Sequence, residues 1–195
     1  MIITKSLNYI KLYNSNYTET DLLEIKYGLA SIYSLITKTI IIFSVSIILN
    51  LFKELITFCF FYNFIRMTSF GLHASTSRLC TISSLIIFLL IPYLSINIYI
   101  DYSVQMLAII LSTILLTINS PADTIKRPII DKTRRNIYKL ITLLVCIFYI
   151  LLFIFINNMF IKNIIMYSIL FQSIITSPIT YKLFKLQYNN YLNYV

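Results

Sequence analysis

The sequence predicts an all-α polytopic membrane protein, and both its composition and the spacing of its charges support this fold class. Of the 195 residues, 58% are hydrophobic and only 12% are charged. Four uncharged runs reach the roughly 20 residues that a helix needs to cross a bilayer, and a helix satisfies its own backbone hydrogen bonds in lipid. We predict transmembrane helices in these four runs, which are residues 79–100, 102–122, 140–161 and 163–181.

Two shorter apolar runs, residues 39–52 and 55–65, lie on either side of Lys53 and Glu54. Neither reaches full spanning length alone, but both cross if the bilayer thins around them, which gives six transmembrane helices. The alternative is four spans plus a shallow helical hairpin over residues 39–65. A single helix through Lys53 and Glu54 is disfavoured because it buries two charges near the midplane.

The charges predict how the chain is oriented in the membrane. The formal net charge is +9, and with six spans every basic residue except Lys53 and Lys162 falls on one side. The positive-inside rule assigns that side to the cytoplasm, so both termini are predicted to be cytoplasmic in a multi-pass protein of the cell membrane. Because a basic excess at membrane boundaries suits anionic lipid, we expect the lipid bilayer, and no nucleic acid, as a partner.

We expect one integral membrane domain over residues 1–195, with an N-terminal cytoplasmic or interfacial segment (1–38), transmembrane helices within 39–181 and a cytoplasmic tail (182–195). Within the first segment, residues 18–36 have the pattern of an amphipathic helix. Thr18 and Asp21 are spaced as in a capping box, and apolar residues recur at helical spacing as far as Ile36. This helix is predicted to lie along the inner leaflet; packing against other segments is the alternative.

The only histidine, His73, lies seven residues before Cys80 in a polar interlude between apolar runs. A thiol with a nearby imidazole is the minimal apparatus for covalent attack on an acyl group. Cys59 and Cys146 lie in apolar runs, where a thiol behaves as a small hydrophobe. One histidine and one cysteine are too few for a structural zinc site, so neither a metal nor another cofactor is predicted.

Contact between His73 and Cys80 requires a break in the helix. On one continuous helix the two residues stand roughly 10.5 Å apart along the axis, whereas a base needs a contact of roughly 3 Å with its nucleophile. Gly71 tolerates unusual backbone angles, and Ser77 is suited to cap a new helix. Cys80 then lies near a helix N-terminus and Arg78, and both favour the thiolate.

Two motifs carry a resemblance to a known family. The first, R-x4-G-x-H-A-x5-C, covers residues 66–80, and the second, NSPADTIKRPI, covers residues 119–129. Together with the Tyr-Gly-Leu triplet at 27–29, they make the chain resemble the accessory gene regulator protein B (AgrB) family over nearly its whole length.

This resemblance implies a membrane cysteine endopeptidase of quorum-sensing systems, with His73 as the base and Cys80 as the nucleophile. Its substrate would be an AgrD-type propeptide. The enzyme would remove the propeptide's C-terminal tail, hold the remainder as an acyl thioester, and promote ring closure to a thiolactone or lactone autoinducing peptide. The resemblance also implies a homodimer.

The resemblance implies an acidic propeptide tail, which basic side chains would attract. We predict that Lys126 and Arg127, inside the second motif, bind substrate, and that Arg66 and Arg78, which flank His73, contribute. For the other basic residues of this loop, fixing topology and contacting lipid headgroups is at least as good an explanation; they are Lys132, Arg134, Arg135 and Lys139.

Two other functions stay open at this point. A peptide exporter would suit six spans with polar loops, although the spans lack the intramembrane charges that mark a translocation path. In a non-catalytic membrane scaffold, His73 and Cys80 would be incidental. Asp123 is a candidate third catalytic residue by charge, but a loop ion pair explains it better, so the prediction is a His73–Cys80 dyad.

Overall fold

The computed structural model describes residues 7, 9, 10, 12, 17–72, 77–125 and 128–194, and only the backbone of residues 77 and 78. The chain divides into two compact units, Met1–Ile48 and Leu49–Val195, which are described separately. The single integral membrane domain expected from the sequence stays a prediction.

The first unit contains one long helix, α1, which spans Glu19–Ile48. The predicted capping box at its start is confirmed. The Asp21 carboxylate accepts a hydrogen bond from the Thr18 backbone N–H at 2.9 Å, and the Thr18 hydroxyl accepts one from the Asp21 N–H at 3.2 Å. Because α1 runs without interruption to Ile48, the predicted amphipathic segment 18–36 and most of the apolar run 39–52 belong to one continuous helix. The position of residues 18–36 along the inner leaflet stays a prediction.

A turn at residues 49–51 ends α1, and Asn50 adopts a positive φ of 54° there. The next helix, α2, spans Phe52–Ser69 and carries Lys53 and Glu54 at its beginning. The chain thus forms two separate helices here, as expected from the two short apolar runs, and the break at residues 49–51 lies just before the two charges. Glu54 lies in the first turn of α2, where the helix dipole favours a negative charge.

Four further helices overlap the four long uncharged runs: α3 (Ser77–Asn97), α4 (Tyr102–Asn119), α5 (Lys132–Phe155) and α6 (Met159–Thr176). The boundary expected at Lys162 is wrong: α5 and α6 are separated at residues 156–158, and Lys162 lies inside α6. A short helix, α7 (Pro178–Leu183), and a 3-10 helix (Asn190–Tyr194) complete the described chain. Side chains cap the N-termini of α4 to α7 by accepting backbone N–H bonds; the capping residues are Asp101, Asp131, Asn158 and Ser177.

The all-helical fold class is confirmed, because the described residues contain helices and no strand. Five of these helices are long and apolar enough to cross a membrane, namely α1, α3 from Leu79, α4, α5 and α6. The helix α2 is not among the five. The count of six spans and the four-span alternative therefore stay predictions.

The helix α6 lies at the centre of the second unit and packs against α2, α3, α4 and α5. Half of α6 is buried, a larger share than in the other candidate spans. Its apolar side chains Ile164, Ile165 and Ile169 are fully buried and belong to one core cluster with Phe58 of α2 and Phe153 of α5. This arrangement makes α6 the element against which the neighbouring helices are positioned.

Buried amide groups fix α6 at its N-terminal end. The Asn163 side-chain NH₂ donates to the backbone carbonyls of Ser95 at 2.8 Å and Ile98 at 3.2 Å, and its carbonyl oxygen accepts from the Gln105 side chain. Because lipid tails are as apolar as leucine, such polar bonds and close packing, rather than the hydrophobic effect, hold helices together in a bilayer. Asn163 therefore ties α6 to both α3 and α4.

Replacing Asn163 with leucine should destabilise the protein by about 1–2 kcal/mol, because interhelical hydrogen bonds of this kind contribute amounts of that order. Reversible unfolding in mixed micelles, followed by circular dichroism, measures the change. The matched control is Asn157→Leu, because Asn157 is exposed in the turn between α5 and α6. Equal stability of the two variants would contradict the assigned role of Asn163.

Candidate functional site

The turn at residues 69–72, here called the pre-histidine turn, follows α2 and directly precedes His73. It pairs with the loop after α4: the Gly71 N–H donates to the Ala122 carbonyl at 2.9 Å, and the Ala122 N–H donates to the Ser69 carbonyl at 3.0 Å. Phe70 and Ala122 thus form an isolated parallel bridge. The two sequence motifs, at 66–80 and 119–129, therefore meet in space.

Gly71 has a φ of +115°, a conformation that side chains strongly disfavour. A Cβ atom at this position would lie 2.8 Å from the side chain of Ile175. The backbone of Ile175 also contacts the turn, since its carbonyl accepts from the Leu72 N–H at 3.4 Å. Backbone geometry and close packing against α6 both explain a glycine two residues before His73.

Gln172 of α6 binds the same turn through its side chain. Its side-chain NH₂ donates to the Ser69 hydroxyl at 2.7 Å and to the Phe70 carbonyl. Both Gln172 and Ser69 are completely buried. The backbone that leads into His73 is therefore fixed on one side by the loop after α4 and on the other by α6.

Arg66, predicted to bind substrate, lies in the last turn of α2. Its guanidinium donates to the Tyr62 hydroxyl and, at 3.4 Å, to the carbonyl of Leu72, the residue before His73. These contacts give Arg66 a role in holding the pre-histidine turn, which the sequence reasoning missed. Its predicted contact with substrate remains a prediction.

The helix α2 ends at Ser69 and α3 begins at Ser77, so a helix break lies before Cys80. That the break separates His73 from Cys80 stays a prediction, because residues 73–76 are outside the described part of the chain. Cys80 lies in the first turn of α3 and is half-buried. By contrast, Cys59 and Cys146 lie within α2 and α5, and no disulfide joins the three cysteines, all of which the structure describes.

Several predicted site residues fall outside the described part of the chain. These are His73, Lys126 and Arg127, together with the side chain of Arg78, whose backbone lies in the first turn of α3. The role of His73 as a base stays a prediction, as does substrate binding by the three basic residues.

Asp123 of the second motif is buried and bound to the C-terminal tail (residues 184–194). Its two carboxylate oxygens accept hydrogen bonds from the backbone N–H groups of Asn190 at 3.0 Å and Tyr191 at 2.8 Å. The Arg135 guanidinium lies 3.6 Å from the same carboxylate. Asp123 is thus a loop ion-pair residue that anchors the tail, as expected from its charge, and the His73–Cys80 dyad stays a prediction.

Two tyrosines, Tyr181 of α7 and Tyr188 of the tail, also bind this loop. The hydroxyl of Tyr181 donates to the Asp123 carbonyl at 3.0 Å, and that of Tyr188 donates to the Asn119 carbonyl at 3.3 Å. Burial raises the pKa of both phenols, so both remain protonated donors over the physiological range. Neither role is visible from the sequence, because nothing in the local pattern around these tyrosines points to the loop at residues 119–123.

Comparison with known proteins identifies the family. The family model "Accessory gene regulator B" matches residues 3–176. A protein of Clostridium acetobutylicum named as AgrB-like is 32% identical over 174 residues, which cover 89% of this chain and 83% of that protein. The accessory gene regulator protein B of Staphylococcus aureus strain Newman is 30% identical, with 72% of this chain and 75% of that protein covered.

The accessory gene regulator protein B of Staphylococcus saprophyticus is 27% identical over 74% of this chain and 76% of its own length. No solved structure matches the chain significantly. A family match over nearly the whole chain, together with these relatives, establishes that the chain belongs to the accessory gene regulator B family.

Proposed function

We propose that this protein is a membrane cysteine endopeptidase of a quorum-sensing system, which processes an AgrD-type propeptide with a His73–Cys80 dyad. The observation that carries the proposal is the helix break: Cys80 lies in the first turn of α3, directly after a segment whose entry is fixed by Ala122 and Gln172. A helix N-terminus is a setting in which reactive cysteines occur.

The chemistry assigned to the dyad has two stages. His73 accepts the proton of the Cys80 thiol, and the thiolate attacks the carbonyl carbon before the propeptide's C-terminal tail. The peptide C–N bond breaks, the imidazolium returns its proton to the leaving amine, and the remainder stays on Cys80 as a thioester. A thiol or hydroxyl within the peptide then gives its proton to His73 and attacks this thioester. The acyl–sulfur bond to Cys80 breaks, the imidazolium returns the proton to the Cys80 sulfur, and the ring is closed.

The fixed pre-histidine turn supports the positioning that this chemistry needs. Covalent catalysis depends on holding the base and the nucleophile within hydrogen-bond reach, and a mobile backbone before His73 would lose that alignment. Gly71 and Arg66 act here as positioning residues, because they shape the turn and bind the Leu72 carbonyl. Substrate binding by Lys126, Arg127, Arg66 and Arg78 is the remaining part of the proposed site.

The proposed orientation places this site at the cytoplasmic face. The ends of α2, α4 and α6 lie together, because the pre-histidine turn contacts both Ala122 and Ile175. With α2 as a sixth span, every basic residue except Lys53 and Lys162 falls on this side, which the positive-inside rule assigns to the cytoplasm. The cytoplasmic termini and the homodimer belong to the same proposal. The interfacial placement of residues 18–36 does not combine with a span that begins at residue 39, because both belong to the continuous helix α1.

The buried polar groups of α6 favour this function over peptide export. A translocation path needs polar groups that face a water-filled route. Instead, the side-chain NH₂ groups of Asn163 and Gln172 bind backbone carbonyls of neighbouring segments. In α6 these groups hold the helices together.

Cys80→Ser should abolish both cleavage of the cognate propeptide and formation of a covalent adduct, since serine is a far weaker nucleophile with this base. Purified protein in liposomes, incubated with the propeptide and examined by mass spectrometry, shows both products. Cys59→Ser is the control and should retain both. Cleavage by the Cys80→Ser variant would refute the proposed nucleophile.

His73→Ala should slow alkylation of Cys80 by iodoacetamide at neutral pH by about tenfold, because loss of the imidazole lowers the thiolate fraction. The measurement uses a Cys59→Ser, Cys146→Ser background, so that the label reports on Cys80 alone. A scaffold whose thiol is incidental would react at the same rate with and without the imidazole, and that result would contradict the dyad.

Gly71→Ala should lower kcat/KM for propeptide cleavage by about tenfold or more, because a side chain at φ +115° with a contact of 2.8 Å must displace the turn before His73. Gly28→Ala is the matched control: a Cβ there meets nothing within 4 Å, and the residue lies inside α1. The control should cleave at the original rate. Equal activity of the two variants would show that the turn does not position the dyad.

A further inference from the structure

The C-terminal tail (residues 184–194) is folded against the loop after α4, although its helix, Asn190–Tyr194, is only five residues long. Asn190 is 1% exposed, and its side-chain NH₂ donates to the carbonyls of Gln187 at 2.9 Å and Asp123 at 3.3 Å. The family match ends at residue 176, so membership of the family gives this segment no role. The proposed peptidase chemistry does not use it either.

A buried carboxylate joins the tail to this loop. Asp123 is 2% exposed, and each of its two oxygens accepts a backbone N–H of the tail, from Asn190 and from Tyr191. The Arg135 guanidinium lies 3.6 Å from the carboxylate and 3.6 Å from the centre of the Tyr191 ring. A buried charge is costly unless it is paired and hydrogen-bonded. The conformation of the loop is therefore coupled to docking of the tail.

The same loop contacts the pre-histidine turn one residue earlier. The Ala122 carbonyl accepts from the Gly71 N–H, and the Ala122 N–H donates to the Ser69 carbonyl. The Ala122 carbonyl and the Asp123 N–H belong to one planar peptide group, so a displacement of Asp123 also moves the acceptor of Gly71. The loop is thus held between the tail on one side and the turn on the other.

The helix α6 supports the turn at other atoms. Gln172 binds the first two residues of the turn. Nearer to His73, the Leu72 N–H donates to α6 at 3.4 Å, whereas the Gly71 N–H donates to the loop at 2.9 Å. The shorter of these two bonds is therefore the one that depends on the loop.

We propose that residues 188–191 of the tail are a positioning segment of the peptidase: by binding Asp123, they hold the loop against the pre-histidine turn and fix the backbone that leads into His73. This inference rests on the proposed function and deepens it. It assigns Asp123 to positioning rather than to catalysis. A chain whose tail is undocked keeps Cys80 but loses the alignment that attack by its thiol requires.

Two shortened chains in liposomes test this role. The chain that ends at Tyr188 lacks both N–H donors to the Asp123 carboxylate, whereas the matched control, which ends at Leu192, keeps them. Hydrogen exchange, followed by mass spectrometry, should be about tenfold faster at the Gly71 amide in the first chain, because the turn opens locally, and unchanged in the control. Amides of the buried helix α6 should exchange alike in both chains, which reports an intact bundle.

The same two chains are compared in propeptide cleavage. In the chain that ends at Tyr188, kcat should fall by about tenfold or more, because misplacing a catalytic group by about 1 Å can cost about a hundredfold. The change in KM should be smaller, since the lost alignment serves the chemical step. The chain that ends at Leu192 should cleave at the original rate.

Asp123→Ala tests the same contact from the loop. It should lower kcat in the full chain but should cause no further loss in the chain that ends at Tyr188, because both changes remove one shared interaction. An aspartate that acted in catalysis would lower kcat in both backgrounds, and that result would overturn the assignment to positioning.

Equal exchange at the Gly71 amide in the two shortened chains would overturn the proposal. Faster exchange with unchanged kcat would also overturn it, since the turn would then move without consequence for catalysis. If the unaltered protein cleaves no propeptide, the proposed function fails on its own account, and the exchange measurement still decides whether the tail holds the turn.

Discussion

Two backbone hydrogen bonds between the pre-histidine turn and Ala122 are the contact on which the candidate site depends. They join the segment after α2 to the segment after α4, and so bring together two motifs that are far apart in the sequence. The contact is close because Gly71 lets the backbone pass against Ile175 at a positive φ. The conformation of one residue therefore controls the direction in which the chain enters His73.

The helix α6 provides the support for this contact. In a bilayer, apolar helix surfaces gain little by leaving lipid for one another, so packing alone specifies their relative positions weakly. Asn163 binds α3 and α4 at one end of α6, and Gln172 binds the pre-histidine turn at the other. Two amides thus set the position of the helix along its axis, and they do so without placing a net charge in the membrane.

The sequence predicted much of this architecture because uncharged length is a strong local signal. The runs that became α3 to α6 were visible from composition, and the helix break before Cys80 followed from the distance that seven residues cover on a helix. The continuity of α1 was not visible. An amphipathic pattern followed by an apolar run is helical in both parts, so neither part shows whether a break lies between them.

The contacts of the site were harder to predict because they join distant residues. Asp123 could be identified as an ion-pair candidate, but its partners in the tail have no periodic or charged pattern that points to it. The bonding partner of Arg66 was equally hard to predict. A basic residue beside the His73 motif suggests substrate binding, whereas the coordinates show that its guanidinium donates to the Leu72 carbonyl. Motif spacing predicts which residues belong to the candidate site, whereas the bonding partners of Asp123 and Arg66 required coordinates.

The attachment of the tail to Asp123 has a consequence for how the protein is made. The carboxylate and the backbone groups that bind it lie 67 residues apart, and α5, α6 and α7 must be synthesised in between. Most of the hydrophobic segments are therefore synthesised before Asn190 and Tyr191, whose backbone N–H groups bind this aspartate, are available. A chain that ends before Asn190 lacks both backbone donors to the Asp123 carboxylate, and a buried charged group that loses its hydrogen bonds is costly.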